Sequence, residues 1–381
     1  KKIRNLTLVL ILLMPIYPNL KLFGEQTIEN IEVLTKREQA KVEIDNYTKL
    51  SDNKLNNAEF DKAEKFIINA IEISKDIFGN ENLTTLNLLD KLGIIYSWQG
   101  KYKESEAILL RTSKNKKKLL GNENLEYINS KRALARLYDS LGRFKEAESL
   151  YKQNLKILNK VYGNKHPLYL AENILLGALY SKYAFHEKGL NKIYNSCQIS
   201  KKYRDQYSWA IGNFYSSCLG RLSNIYMNMG NAKEAEKVLN ESLKIDIKNY
   251  GKESIEVAKK LATISRIYLR QDNFIKAEES ILESIKITEK LLGKEHFLLA
   301  RRLIKLGEIY QMQNLFNKAE KFYLRSLKIA EKVYGKKHPN YAYYLGQLGN
   351  HYSQYSDIEN KNFQKAENYL LSSLKIYNKK Y

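Results

Sequence analysis

Only two cysteines, Cys197 and Cys218, stand in this chain of 381 residues, too few for a disulfide-stapled scaffold or a cysteine-rich metal site. Proline is almost as scarce: Pro15 and Pro18 end an apolar start, Pro167 and Pro339 each follow a Gly-x-x-His, and the long stretches between carry no such helix breaker. There is no P-loop or glycine-rich phosphate cradle, and the five histidines include no pair at metal-ligand spacing. After residue 16 nothing is apolar enough to span a bilayer. Together these gaps leave no cofactor, metal or small-molecule chemistry to assign, so no enzymatic activity is expected.

What is present is repetition. Gly79, Gly121, Gly163, Gly251, Gly293 and Gly335 recur every 42 residues, with Asp205 where one glycine is missing and four extra residues between Asp205 and Gly251. Tyr96, Tyr138, Tyr180, Tyr226, Tyr268, Tyr310 and Tyr352 keep the same step and absorb the same insertion. A fixed period of this size means stacked units that cannot bury their apolar faces alone. Within one unit Ala300, Leu303, Leu306 and Tyr310 recur at helical spacing, and so do Phe316, Ala319, Phe322, Tyr323, Leu327 and Ile329 after a break at Asn314. Each copy is therefore a helix, a turn and a helix. His166, His296 and His338 follow the turn glycine by three, where other copies have Asn82, Asn124, Ser208 and Ser254, so they are read as helix caps, with Pro167 and Pro339 at the first helical position.

The Leu306-Gly307, Tyr310, Ala319 pattern resembles the tetratricopeptide repeat, and the longer period with its Gly335-Lys336-Lys337-His338-Pro339 opening resembles the 42-residue repeats of kinesin light chains and their bacterial relatives. The resemblance implies an all-α, right-handed superhelical solenoid of about eight such helix-turn-helix repeats over residues 44–381, whose first helices line a concave groove. Residues 25–43 are expected to be a linker merging into the first helix. Residues 1–24, with Lys1, Lys2 and Arg4 before an apolar run, are expected to be a signal peptide or an N-terminal anchor, which would export the chain or tether it to a membrane. Without such a segment it would be cytoplasmic. A joint is expected near residues 203–209, where Gly189 also replaces the alanine of sister copies. Cys197 and Cys218 fall on neighbouring helices on either side of it. A bond needs their Cα atoms within about 7 Å, and because the insertion blurs the register, two buried thiols are the expectation. The array also stops at Tyr381 without the polar cap that solenoids usually carry, so self-capping by its last helix, a dimer partner and a lost domain all stay open.

Charge supplies the functional hint. Sixty-four Lys and Arg face 42 Asp and Glu, a formal +22, which attracts anions but is also what a Lys-, Asn- and Ile-rich composition yields without any ligand. Placement separates the two. The groove positions implied by the resemblance carry Arg132, Arg136, Lys182, Arg221, Lys259, Arg266, Arg270, Arg301 and Lys305, interleaved with Asn224 and Asn350, and fewer acids, among them Asp90, Asp139 and Glu308. Arginine binds carboxylates in a bidentate fork and amides hold peptide backbone. The chain is accordingly read as a non-catalytic scaffold binding a peptide or acidic protein segment. Two other classes stay open: the substrate-recognition half of a caspase-like peptidase system, and non-specific binding of polyanions. Nucleic acid is disfavoured because the periodic tyrosines sit at core spacing rather than offered for stacking. Trp98, at a groove position near one end, is a candidate anchor.

Overall fold

In the computed structural model, which describes residues 18–203, 208–355 and 361–378, all regular structure is helical. The apolar run read as a signal or anchor, Asp205 and the side chain of Ser208 lie outside the described residues and side chains. Sixteen helices form eight antiparallel pairs: α1 (Pro18–Asn56) with α2 (Phe60–Phe78), α3 (Leu83–Trp98) with α4 (Tyr102–Leu120), α5 (Leu125–Ser140) with α6 (Phe144–Tyr162), and α7 (Pro167–Lys182) with α8 (His186–Lys202). Four more follow: α9 (Ser208–Asn228) with α10 (Ala232–Tyr250), α11 (Ile255–Arg270) with α12 (Phe274–Leu292), α13 (Phe297–Met312) with α14 (Phe316–Tyr334), and α15 (Pro339–Gln354) with α16 (Lys361–Asn378). The segment expected as a linker is helical, part of the 39-residue α1.

Each pair is specified locally. The cap position accepts the backbone N–H two residues on in α3, α5, α7, α13 and α15, through Asn82, Asn124 and the Nδ1 of His166, His296 and His338. Six of the described second helices end on glycines such as Gly335, whose φ of +75° a side chain would resist. Inside the pair, Ala319 is fully buried and a Cβ added at Gly307 would come within 3.0 Å of the Tyr323 ring, so small residues set the close approach. The periodic tyrosines tie neighbouring pairs together. Tyr180 donates to Glu148 at 2.7 Å, and Tyr310 and Tyr352 donate to Glu278 and Glu320, each carboxylate lying 32 residues earlier on the preceding second helix. Glu64, Glu106 and Glu236 hold the same register against Tyr96, Tyr138 and Tyr268. Tyr226 alone lacks it: the insertion stretches the offset to 36 residues, and there Leu190 stands in the glutamate's place.

That joint is closed by other means. The insertion lengthens α9 to 21 residues, against 16 for α7 and α11, which leaves the end carrying Tyr226 in register. Gly177 and Gly189 let α7 and α8 touch so closely that a Cβ at Gly189 would lie 2.7 Å from the Gly177 carbonyl. Cys197 and Cys218 are not free thiols but a disulfide between α8 and α9, their Cα atoms 5.6 Å apart; the insertion adds length at the far end of α9 and does not disturb the register at Cys218. The loop closed is 21 residues, for which chain entropy gives about 3 kcal/mol. Reduction, or the Cys197→Ala and Cys218→Ala double variant, is expected to lower the melting temperature of the array, and an unchanged melt in reductant would contradict the bond.

The superhelix comes round on itself. The turn after α1 meets the turn before α13, where the His296 Nε2 lies 3.4 Å from the Asn56 carbonyl, and one repeat further on the His338 Nε2 lies 2.7 Å from the Trp98 carbonyl. Both pairs are 240 residues apart in sequence. In each histidine Nδ1 is occupied as acceptor in the cap, so Nε2 carries the hydrogen and donates across the seam. Phe60, buried at the start of α2, stacks on Tyr334 and His338 at 6.1 and 5.8 Å and meets Trp98 edge-on at 6.0 Å. Trp98 is thus part of this seam.

Candidate functional site

Successive first helices touch one another at α3–α5, α7–α9 and α11–α13, as the inner, tighter layer of a superhelix must. The charges on this layer fall into three groups. Arg136, Arg270 and Arg301 stand exposed on α5, α11 and α13, their guanidinium groups without ion pair or hydrogen bond among the described residues. Asn350 is exposed on α15. Arg221 and Arg266 are half-buried between neighbouring first helices, and burial lowers the pKa of both, with Arg136 adding to the effect on Arg221. The Arg266 Nη2 donates to the Asn224 side chain, while its Nε is buried without an acceptor among the described residues.

The third group is already neutralised by the protein. The Arg132 Nε donates to Glu172 at 2.6 Å, and that carboxylate, fully buried, also accepts from Asn154 at 2.7 Å. Lys182 bonds the Asp139 carboxylate at 2.7 Å, Lys305 bonds both oxygens of Glu308 at 2.7 Å, and Lys259 lies 3.5 Å from Glu256. Asp90, which spacing puts on the groove, is instead buried and holds the buried Lys116 at 2.6 Å together with Thr112 and Ser130. The reason is geometric: six residues before the tyrosine, a side chain points at the neighbouring pair as much as at the groove, and whichever charge sits there finds an internal partner.

The structure gathers Asn224, Lys259, Arg266, Arg301 and Lys305 around one cleft of about 320 Å³ whose apolar lining is Ala262 and Leu298. An adjoining hollow of about 390 Å³ adds Arg221 and shares Asn224, Lys259 and Thr263. Arg132, Arg136, Lys182, Arg270 and Asn350 do not line either. Arg302 does line the cleft, although its place in the repeat is a core position that the spacing passes over. No three His, Cys, Asp or Glu side chains converge as a metal would require among the described residues, and no described helix is long and apolar enough to cross a membrane. The arrangement can bind anions and peptide amides.

Comparison with curated proteins finds no match. Among solved structures, the apo form of the quorum sensor NprR from B. thuringiensis superposes with a TM-score of 0.57 at 14% identity, covering 93% of this chain and 94% of that one. The Rap conjugation gene regulator of plasmid pLS20, in complex with the Phr* peptide, gives 0.53 at 16% identity, covering 74% and 72%. Kinesin light chain TPR-like repeats from Podospora anserina match at 21% identity over 55% of this chain and 98% of theirs, with a TM-score of 0.45. The family model of the tetratricopeptide repeat matches residues 84–160, 216–290, 256–332 and 303–379, and the chain, an all-α solenoid, belongs to the tetratricopeptide repeat family.

Proposed function

We propose that the chain is a non-catalytic scaffold that holds an extended, acidic polypeptide segment along its first-helix face, centred on the cleft between α9, α11 and α13. The observation that carries this is the set of arginines left without an internal partner among the described residues on that face, Arg136, Arg270 and Arg301, on the same layer as the half-buried Arg221 and Arg266. Exposed cations, Arg111 among them, stand on the second helices too, so the proposal rests on where these arginines sit and not on total charge. Free guanidinium groups on the same helix layer as Asn224 and Asn350 suit a ligand with carboxylates on an amide backbone. A neighbour of the same fold, the Rap regulator, is described with a peptide bound. The Cys197–Cys218 bond supports a further part of the proposal, that the chain works in an oxidising, exported compartment, where such bonds persist.

The test is a pull-down at moderate salt with charge reversals that spare the internally paired residues. R136E/R270E/R301E is expected to lose a discrete acidic partner at least tenfold, whereas reversing Lys156, Lys244 and Lys328, exposed on the second helices, leaves it bound. Equal loss of a heterogeneous set of polyanions from both variants, with a steep salt dependence, would replace the groove reading by non-specific charge.

A further inference from the structure

Wherever two helix pairs meet, the residue eight places before the core tyrosine packs against the preceding second helix, and each copy fills that place differently. Where it is charged or reactive, it is answered. Glu172 has Arg132, Cys218 has its bond to Cys197, and Lys260 has Asp246 at 3.7 Å. Arg302 is the exception. It is 4% exposed, its Nε donates to the Ser284 hydroxyl at 2.7 Å and its Nη1 to the Leu298 carbonyl at 2.9 Å, and no carboxylate reaches it among the described residues. The register shows what is missing: Asp246 precedes Lys260 by fourteen residues, and at the same offset before Arg302 stands Thr288, a buried hydroxyl that donates to Ser284. This joint therefore holds a buried cation without the carboxylate that Lys260 has at the same place.

A buried charge with only neutral acceptors retains much of its desolvation cost. Burial, with Arg301 alongside, pushes the Arg302 guanidinium down to about 10, so it remains cationic at neutral pH. Its third nitrogen, Nη2, has no partner among the described residues and is not sealed from solvent, and the residue lines the cleft described above. The rim of that cleft is cationic as well: among the described residues Arg301 is unpaired and Arg266 holds only Asn224, while the nearby acids Glu256 and Glu308 are engaged by Lys259 and Lys305. The cleft, about 320 Å³, has room for a side chain but not for a folded surface.

We propose that this cleft is a built oxyanion site, in which Arg302 receives from below, and Arg301 and Arg266 from above, a carboxylate or phosphoryl group carried by an extended polypeptide. It deepens the groove reading, on which it rests, by assigning the missing counter-charge of one repeat joint to the ligand. Calorimetric titration with three short end-blocked peptides, alike except for a central alanine, glutamate or phosphoserine, tests it. Wild type is expected to bind the glutamate and phosphoserine peptides at least tenfold more tightly than the alanine one, the tighter of the two naming the group. T288D, which restores an internal carboxylate at the register position of Asp246, and R302Q are each expected to abolish that preference. Should either variant fail to fold, the other decides. Should both fail, protection of Arg302 in wild type against phenylglyoxal by the tighter peptide decides. A preference that survives in folded T288D and R302Q, or no protection of Arg302, overturns the site while leaving the groove reading standing. No binding of any peptide by wild type overturns both.

Discussion

Replacing Phe60 with alanine is expected to open the molecule along its seam, raising the radius of gyration in solution scattering and exposing the amides around Trp98 and His338 to hydrogen exchange. Phe60 is where copies one and two meet copies seven and eight, its ring stacked on Tyr334 and His338 and set edge-on to Trp98. Truncating a buried phenylalanine costs about 3–5 kcal/mol. Part of that loss falls within the first repeat, so a second variant isolates the seam. In H296N/H338N the caps survive, since Asn82 and Asn124 cap sister helices with the same geometry, but asparagine is too short to reach the carbonyls of Asn56 and Trp98. Two hydrogen bonds and the ring stacking then go, a net loss of about 2 kcal/mol, or roughly thirtyfold in the ratio of closed to open forms. Scattering curves of both variants identical to wild type would mean that the contact carries no closing energy. Closure bears on function, because a segment lying along the inner layer of a closed superhelix must thread in or wait for the seam to part. Faster association of an acidic peptide with H296N/H338N, at unchanged dissociation, is the corresponding kinetic signature.

The helices, their pairing and their caps were legible in the sequence because they depend on neighbours three, four or 42 residues away, all of which the repeat displays. The histidine caps illustrate the limit of such reading. Their Nδ1 role follows from position, but the second nitrogen reaches a partner 240 residues off, a distance fixed by the accumulated superhelical twist rather than by any local pattern. The disulfide was obscured by a smaller effect. An insertion counted in residues does not say whether it adds to a turn or to the far end of a helix, and here α9 takes it up away from Cys218. The groove was half legible. Exposure was read from spacing, but pairing was not, although a signal existed: Arg132 and Glu172 stand 40 residues apart, Asp139 and Lys182 43, and Asp52 and Lys91 39, all close to one period, which is what stacked neighbours require. Spacing narrows the internal bridges without deciding them, since Asp90 and Arg132, and Arg266 and Glu308, each 42 residues apart, take other partners.

Arg132 and Arg136 make that distinction measurable. They lie one turn apart on the same helix with the same charge. Arg132→Met should cost about 3–5 kcal/mol, because it strands Glu172, a fully buried carboxylate left with Asn154 alone. Arg136→Met, exposed and unpaired, should change stability by less than about 0.5 kcal/mol. A repeat array need not unfold in one step, so the readout is local: hydrogen exchange of α5 and α7 should accelerate in the first variant only. Replacing Glu172 as well, with glutamine, should restore most of the loss, since an amide at that place still bonds Asn154 and no longer carries a charge. If R132M exchanges like wild type, the ion pair is dispensable and Arg132 returns to the pool of ligand-binding cations. If it does not, loss of partner binding in any Arg132 variant reports a loosened third and fourth repeat, and the ligand's own contacts must be sought at Arg136, Arg270 and Arg301.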